Sequence, residues 1–137
     1  MISIIIRTLN EEKYLPECIH AIKNQIADDK FEIILVDSGS TDQTQEIAHR
    51  EGVYIEHIPQ NEFTFGRSLN VGCMAAKGET LVFISAHCIP VGKNWLGELV
   101  SPIKSGSASY TYGKQVGRRG VSKYSEMRVF EKYFSNV

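Results

Sequence analysis

Three short stretches of this chain are almost wholly apolar: Ile-Ser-Ile-Ile-Ile over 2–6, Phe-Glu-Ile-Ile-Leu-Val over 31–36 and Thr-Leu-Val-Phe-Ile over 80–84. A strand with apolar side chains on both faces of its pleat must be covered on both, which points to a parallel sheet between layers of helices. The intervening sequence supplies the helices. Leu15, Ile19, Ile22 and Ile26 recur on one helical face, with Pro16 acceptable in the first turn. A second helix is expected from Ser40, whose hydroxyl forms a capping box with Gln43 three residues on. Leu69, Cys73 and Met74 mark a third, Trp95, Leu96, Leu99, Val100 and Ile103 a fourth, and Met127, Phe130 and Phe134 a last one. Strands are expected at Ile2 to Ile6, Phe31 to Val36, Val53 to Ile58, Thr80 to Ser85 and Ala108 to Tyr112. The order is β-α-β-α-β-α-β-α-β, an α/β fold with a mostly parallel sheet flanked by helices on both faces. Gly66, Gly72 and Gly78 are assigned to turns and close packing rather than to a repeat.

Size and charge narrow the function classes. A chain of 137 residues buries roughly two thirds of the surface its unfolded form exposes, enough for one domain over 1–137 without a disulfide or structural metal. Lys and Arg number 15 against 16 Asp and Glu, a net charge of -1, so the electrostatic term that dominates nucleic-acid binding is missing. The opening apolar run has no basic leader and reads as a strand, not as a signal peptide or membrane span. Cys18, Cys73 and Cys88 are odd in number and form no C-x-x-C pair, which suits reduced thiols and a cytoplasmic location.

In an open parallel sheet, ligands bind outside the carboxyl ends of the strands. After strand one come Arg7, Thr8, Asn10 and Glu11; after strand two Asp37, Ser38, Gly39 and Ser40. Strand four is followed by Ser85 and His87, and strand five by Gly113, Lys114 and Gln115. Asp37 stands out. A carboxylate directly after five apolar residues needs a partner, and it suits a nucleobase N–H or a ribose hydroxyl. Competing motifs are missing from the sequence: G-x-G-x-x-G, the P-loop, the G-x-S-x-G elbow and any zinc-ligand spacing.

The order of motifs carries more than any single one. Ile-Ile-Ile-Arg-Thr-Leu-Asn-Glu (4–11), Phe-Glu-Ile-Ile-Leu-Val-Asp-Ser-Gly-Ser-Thr-Asp (31–42), Leu-Asn-Val-Gly (69–72), Ala-Lys-Gly-Glu (76–79) and Ser-Ala-His-Cys-Ile-Pro (85–90), with Trp95-Leu96, follow in order. Together they resemble the nucleotide-sugar-binding region of the family 2 glycosyltransferases, over nearly the whole chain. The resemblance implies the GT-A (Rossmann-like) fold and a donor site lined by Thr8, Asn10 and Glu11. It places Asp37, with Ser38 beside it, at the acidic position that meets the base or ribose, and Arg67 near the nucleotide. One departure is large. The family's D-x-D, whose carboxylates hold a divalent cation (Mn²⁺ or Mg²⁺) on the donor diphosphate, falls on Ser85-Ala86-His87, leaving His87 as the candidate metal ligand.

By this resemblance the chain is the donor-binding part of an inverting enzyme that moves sugar from a nucleotide-sugar to a polysaccharide or glycolipid acceptor of the cell envelope. Metal near His87, or Arg67 and Lys114, would neutralise the departing diphosphate. The catalytic base stays unassigned. The family's base lies downstream of such a region, Glu126 sits at ordinary helical spacing from Phe130, and the chain is expected to bind donor without transferring sugar. The same resemblance leaves room for a full-length protein at the inner face of the cell membrane, and Phe130 and Phe134 for self-association. Two alternatives stay open: a non-catalytic nucleotide- or partner-binding domain, and a nucleotidyltransferase-like enzyme.

Overall fold

The computed structural model describes residues 1–117 and, beyond them, Ser122, Val129 and Lys132. The chain divides into two units, Met1–Glu98 and Leu99–Val137. The first holds the sheet. Its strands are β1 (Ile2–Thr8), β2 (Phe31–Asp37), β3 (Tyr54–His57) and β4 (Thr80–Ser85), all parallel, in the order β3-β2-β1-β4. Between them run α1 (Leu15–Lys23), α2 (Thr44–Arg50) and α3 (Phe65–Ala75), followed by α4 (Trp95–Lys104).

This order fixes the layers. The crossovers through α1 and α2 step the same way along the sheet, and the one through α3 steps back past two strands, so right-handed connections put α3 alone on the opposite face. The pleat agrees. Ile5, Ile34 and Val36 share one face with Ile58 and pack against Val71, Cys73, Ala75 and Ala76, while Ile4, Ile6 and Leu35 point the other way and are fully buried. Reversal of the strand order opens a crevice between β1 and β4 at their carboxyl ends.

Glycine makes the α3 face possible. A Cβ on Gly72 would stand 2.4 Å from Ile5 Cγ2, and one on Gly78 would stand 2.7 Å from the Met1 carbonyl oxygen. Gly66 has nothing within 4 Å and is not a packing glycine.

Several expectations are corrected. Ala108 to Tyr112 form no strand: the amides of Ser107 and Ala108 donate to the Pro102 carbonyl, and the Thr111 hydroxyl donates to Leu99, so this segment folds onto α4. The second helix starts at Thr44, not Ser40, because the Ser40 hydroxyl is bonded to Asp37 and to the Asn10 amide instead of to its own helix. Ile26 is not on the α1 face. The helix ends at Lys23, and Ile26, 64% exposed, bonds through its amide to Lys93. Phe83 is 47% exposed, since β4 is an edge strand and not a fully covered one, and Met74 lies on the outer side of α3. The last helix, marked by Met127, Phe130 and Phe134, lies outside the described residues, as does Glu126.

Candidate functional site

The loops after β1 and β2 are laced together. Thr8 donates its hydroxyl to Asp37 Oδ1 at 3.0 Å, and the amides of Asn10, Glu11 and Glu12 donate to Ser40 Oγ (2.9 Å), Thr44 Oγ1 (2.8 Å) and Asp42 Oδ2 (3.0 Å). In return the amides of Thr41 and Gln43 donate to Asn10 Oδ1 (2.8 Å) and Glu12 Oε2 (3.0 Å). Asn10 takes a left-handed φ of 55°, a conformation asparagine tolerates, and this aims its amide and side chain at the neighbouring loop. Asp42 is partly desolvated, yet the Thr44 hydroxyl and the Glu12 amide hold its carboxyl below its ordinary value.

Asp37 is the hub. It is fully buried, and its carboxylate accepts from the hydroxyls of Thr8 and Ser40 on Oδ1. On Oδ2 it accepts from the amides of Gly39 (3.2 Å) and Ser40 (3.0 Å) and from Gln45 Nε2 (2.9 Å). The partner its sequence position demands is thus the protein itself. Ser38, beside it, is the reverse case: among the described residues its Oγ is the buried side-chain polar atom without a hydrogen-bond partner.

At the β4 end, His87 Nδ1 lies 3.0 Å from Glu11 Oε1 and donates to it, tying the loop after β4 to the loop after β1. Cys18 Sγ reaches the Cys88 carbonyl at 3.5 Å. Burial, then Cys88 and Glu11 nearby, push the Cys18 thiol up to about 12, and burial also raises Cys88, so both stay protonated near neutral pH. Ser85 ends β4 in register with Arg7. The Arg7 guanidinium lies over the ring of Phe65, 4.8 Å from its centroid, and Arg67 is paired with Glu62.

Of the expected residues, Thr8, Asn10, Glu11, Asp37 and His87 are joined by these bonds, with Ser38 between Asp37 and the turn. Arg67 sits at the start of α3, engaged by Glu62; Lys114 belongs to the second unit. Sequence reasoning missed Gln45, Asp42 and Thr44 as parts of the lacing. Their signal was the density of short Asn, Asp, Ser and Thr side chains in both loops, which favours side-chain to backbone bonds.

This geometry has known counterparts. Residues 3–135 match the model of glycosyl transferase family 2. The chain belongs to that family. It is similar to the glycosyltransferase AglE of Haloferax volcanii, with 29% identity over 126 residues, covering 81% of this chain and 40% of AglE. Within 49 residues it is 53% identical to a PGL/p-HBAD biosynthesis glycosyltransferase of Mycobacterium tuberculosis, covering 36% of this chain and 19% of that one. The fold is GT-A. It superposes on the crystal structure of glucosyl-3-phosphoglycerate synthase from M. tuberculosis, in complex with Mn²⁺, UDP and glucosyl-3-phosphoglycerate, with a TM-score of 0.62 and 28% identity over 75% of this chain and 39% of that one. The chain therefore spans about two fifths of AglE and of the synthase. Family membership favours sugar transfer over the nucleotidyltransferase alternative.

The residues present do not fit a carboxylate-held divalent cation. The two D-x-D positions are Ser85 and His87, the nearby Glu11 carboxylate is bonded to the imidazole, and among the described residues no three His, Cys, Asp or Glu side chains converge. One imidazole nitrogen is a poor match for a hard ion that prefers oxygen ligands.

Proposed function

We propose that the first unit binds the nucleotide-sugar donor of a glycosyltransferase at the carboxyl ends of β1, β2 and β4. The observation that carries this reading is the buried, unpartnered Ser38 Oγ. Leaving such a group unmade costs about 1–3 kcal/mol; protein atoms cover the hydroxyl, and a shift of the turn after β2 that admits a ligand group recovers that cost. A nucleobase edge suits the position, since the hydroxyl can both donate and accept. Thr8, Asn10, Glu11 and Asp37 shape this floor rather than contact the ligand through every polar atom; Ser85 and His87 face the diphosphate end.

The reaction of the whole protein is transfer of the sugar to a polysaccharide or glycolipid acceptor in the cytoplasm, at the inner face of the membrane. An acceptor hydroxyl gives its proton to a general base as its oxygen bonds to the anomeric carbon and the bond to the diphosphate breaks, and the nucleoside diphosphate leaves with the electron pair. No described helix is long and apolar enough to cross a membrane. The test is calorimetric titration of UDP and GDP into the chain and into Ser38→Ala. Binding by the parent, weakened about fivefold to tenfold in Ser38→Ala, is the expected result. A folded chain that binds neither nucleotide overturns the reading.

A further inference from the structure

We propose that Arg7, braced by Phe65, is the cation that meets the donor diphosphate in this chain, in the place a carboxylate-held metal ion would take. The inference rests on the donor site proposed above and concerns only its phosphate end.

Arg7 is the charged residue of β1, half-buried near its carboxyl end and following the apolar run Ile4–Ile6. A guanidinium so placed has lost much of its hydration and needs an anion or several acceptors. Among the described residues no carboxylate pairs with it. Two other cations of this unit are already engaged: Arg67 is paired with Glu62, and the Lys13 ammonium lies over the Tyr14 ring. Phe65 holds the guanidinium by its face, and Phe65 is itself 68% exposed, more than an aromatic ring placed only for core packing would be. The ring face does not take the place of a conventional hydrogen-bond acceptor, so the guanidinium N–H groups are left for a second partner with paired oxygens.

Register links this to the altered motif. Ser85 is the parallel-sheet partner of Arg7, so the two side chains leave neighbouring strands on the same face, about 4.8 Å apart at the backbone. An aspartate at 85 would stand beside Arg7 and neutralise it. With serine there the guanidinium keeps its charge for a ligand. Serine at 85 and arginine at 7 thus leave a cation fixed in the strand where an acid at 85 would have offered an anion. As the donor's anomeric carbon–oxygen bond breaks, Arg7 would hydrogen-bond the non-bridging oxygens that gain charge.

The experiment titrates the full chain with UDP and with uridine, following NMR shifts, once in EDTA and once in Mn²⁺, for the parent, Arg7→Gln and Arg7→Lys; GDP and guanosine form a second pair. The proposal expects the parent to bind the diphosphate in EDTA within about twofold of its affinity in Mn²⁺. Arg7→Gln should weaken the diphosphate at least about tenfold and leave the nucleoside unchanged, with Arg7→Lys in between. Diphosphate binding that disappears in EDTA and returns with Mn²⁺ overturns the proposal. So does an Arg7→Gln protein that loses nucleoside and diphosphate alike, which would mark a structural role, or one that loses neither. If no nucleotide binds under any condition, the donor-site reading itself fails, an outcome distinct from all of these.

Discussion

Replacing Asp37 should damage the fold before it touches binding, and the two oxygens of its carboxylate predict by how much. Oδ2 accepts from two backbone amides and from Gln45, donors that cannot reverse direction. Oδ1 accepts from two hydroxyls, which can. In Asp37→Asn the side-chain oxygen keeps the Oδ2 bonds and the new NH₂ points at Thr8 and Ser40, whose oxygens become acceptors. That exchange forfeits charge assistance and displaces both hydroxyl protons, of which half-buried Ser40 can turn its own to water and buried Thr8 cannot, a cost of about 1–2 kcal/mol. Asp37→Ala orphans every donor. Water entering past exposed Gly39 re-solvates part of them, leaving about 3–5 kcal/mol, the scale of two hydrogen bonds to a charged group. At about 4 °C per kcal/mol the expected Tm losses are roughly 4–8 °C for Asn and 12–20 °C for Ala. Thermal melts followed by circular dichroism measure both, and hydrogen exchange at the Gly39 and Ser40 amides reports the turn directly. An Ala variant within about 1 kcal/mol of the parent, or an Asn variant as damaged as Ala, would refute the reasoning.

Ser38→Ala should do the opposite, raising stability by up to about 1 kcal/mol by removing an unpartnered buried hydroxyl while weakening nucleotide binding; a stability loss together with unchanged affinity would show the hydroxyl to be a packing group. Gly72→Ala should cost about 1–3 kcal/mol in urea unfolding, since its Cβ meets Ile5 at 2.4 Å and the filled α3 face cannot retreat freely. The Ser3 hydroxyl and the Lys77 amide hold the Glu32 carboxyl below its ordinary 4.5. Its contribution is therefore present above pH 4.5 and lost as pH falls through the lowered value, so between about pH 6 and pH 3 the urea midpoint of the parent should fall more steeply than that of Glu32→Gln.

What could be read from the sequence follows what each residue's neighbours decide. β1 and β2 were legible because their apolar runs leave no alternative to burial, and the need of Asp37 for a partner was legible for the same reason. The identity of that partner was not, because Thr8 and Gln45 reach it through the fold and not through local spacing. Ser40 shows how local rules lose: a hydroxyl placed to cap a helix is taken by a stronger acceptor three residues back. The segment at Ala108 to Tyr112 has strand composition but no ladder, since Pro102 and Leu99 claim its hydrogen bonds. Sequence lists Arg7 directly after the first apolar run. Only register puts it beside Ser85, and only coordinates put Phe65 beneath it.

The lacing also explains why the β4 end of the site can change without losing the rest. Every hydrogen bond that ties the β1 and β2 loops runs between those loops; none passes through Ser85, and His87 touches them only at Glu11, whose amide is held separately by Thr44. A substitution after β4 therefore leaves the hydrogen bonds around Asp37 standing. Under the donor-site proposal, nucleoside and diphosphate recognition rest on different residues and should respond independently to mutation. For variants at Ser38, in the loop after β2, and Arg7, in β1, which share no partner, the losses in diphosphate affinity should add, within about 0.5 kcal/mol, in a double-mutant cycle. A larger coupling would mean that the two ends of the site are held by one network after all.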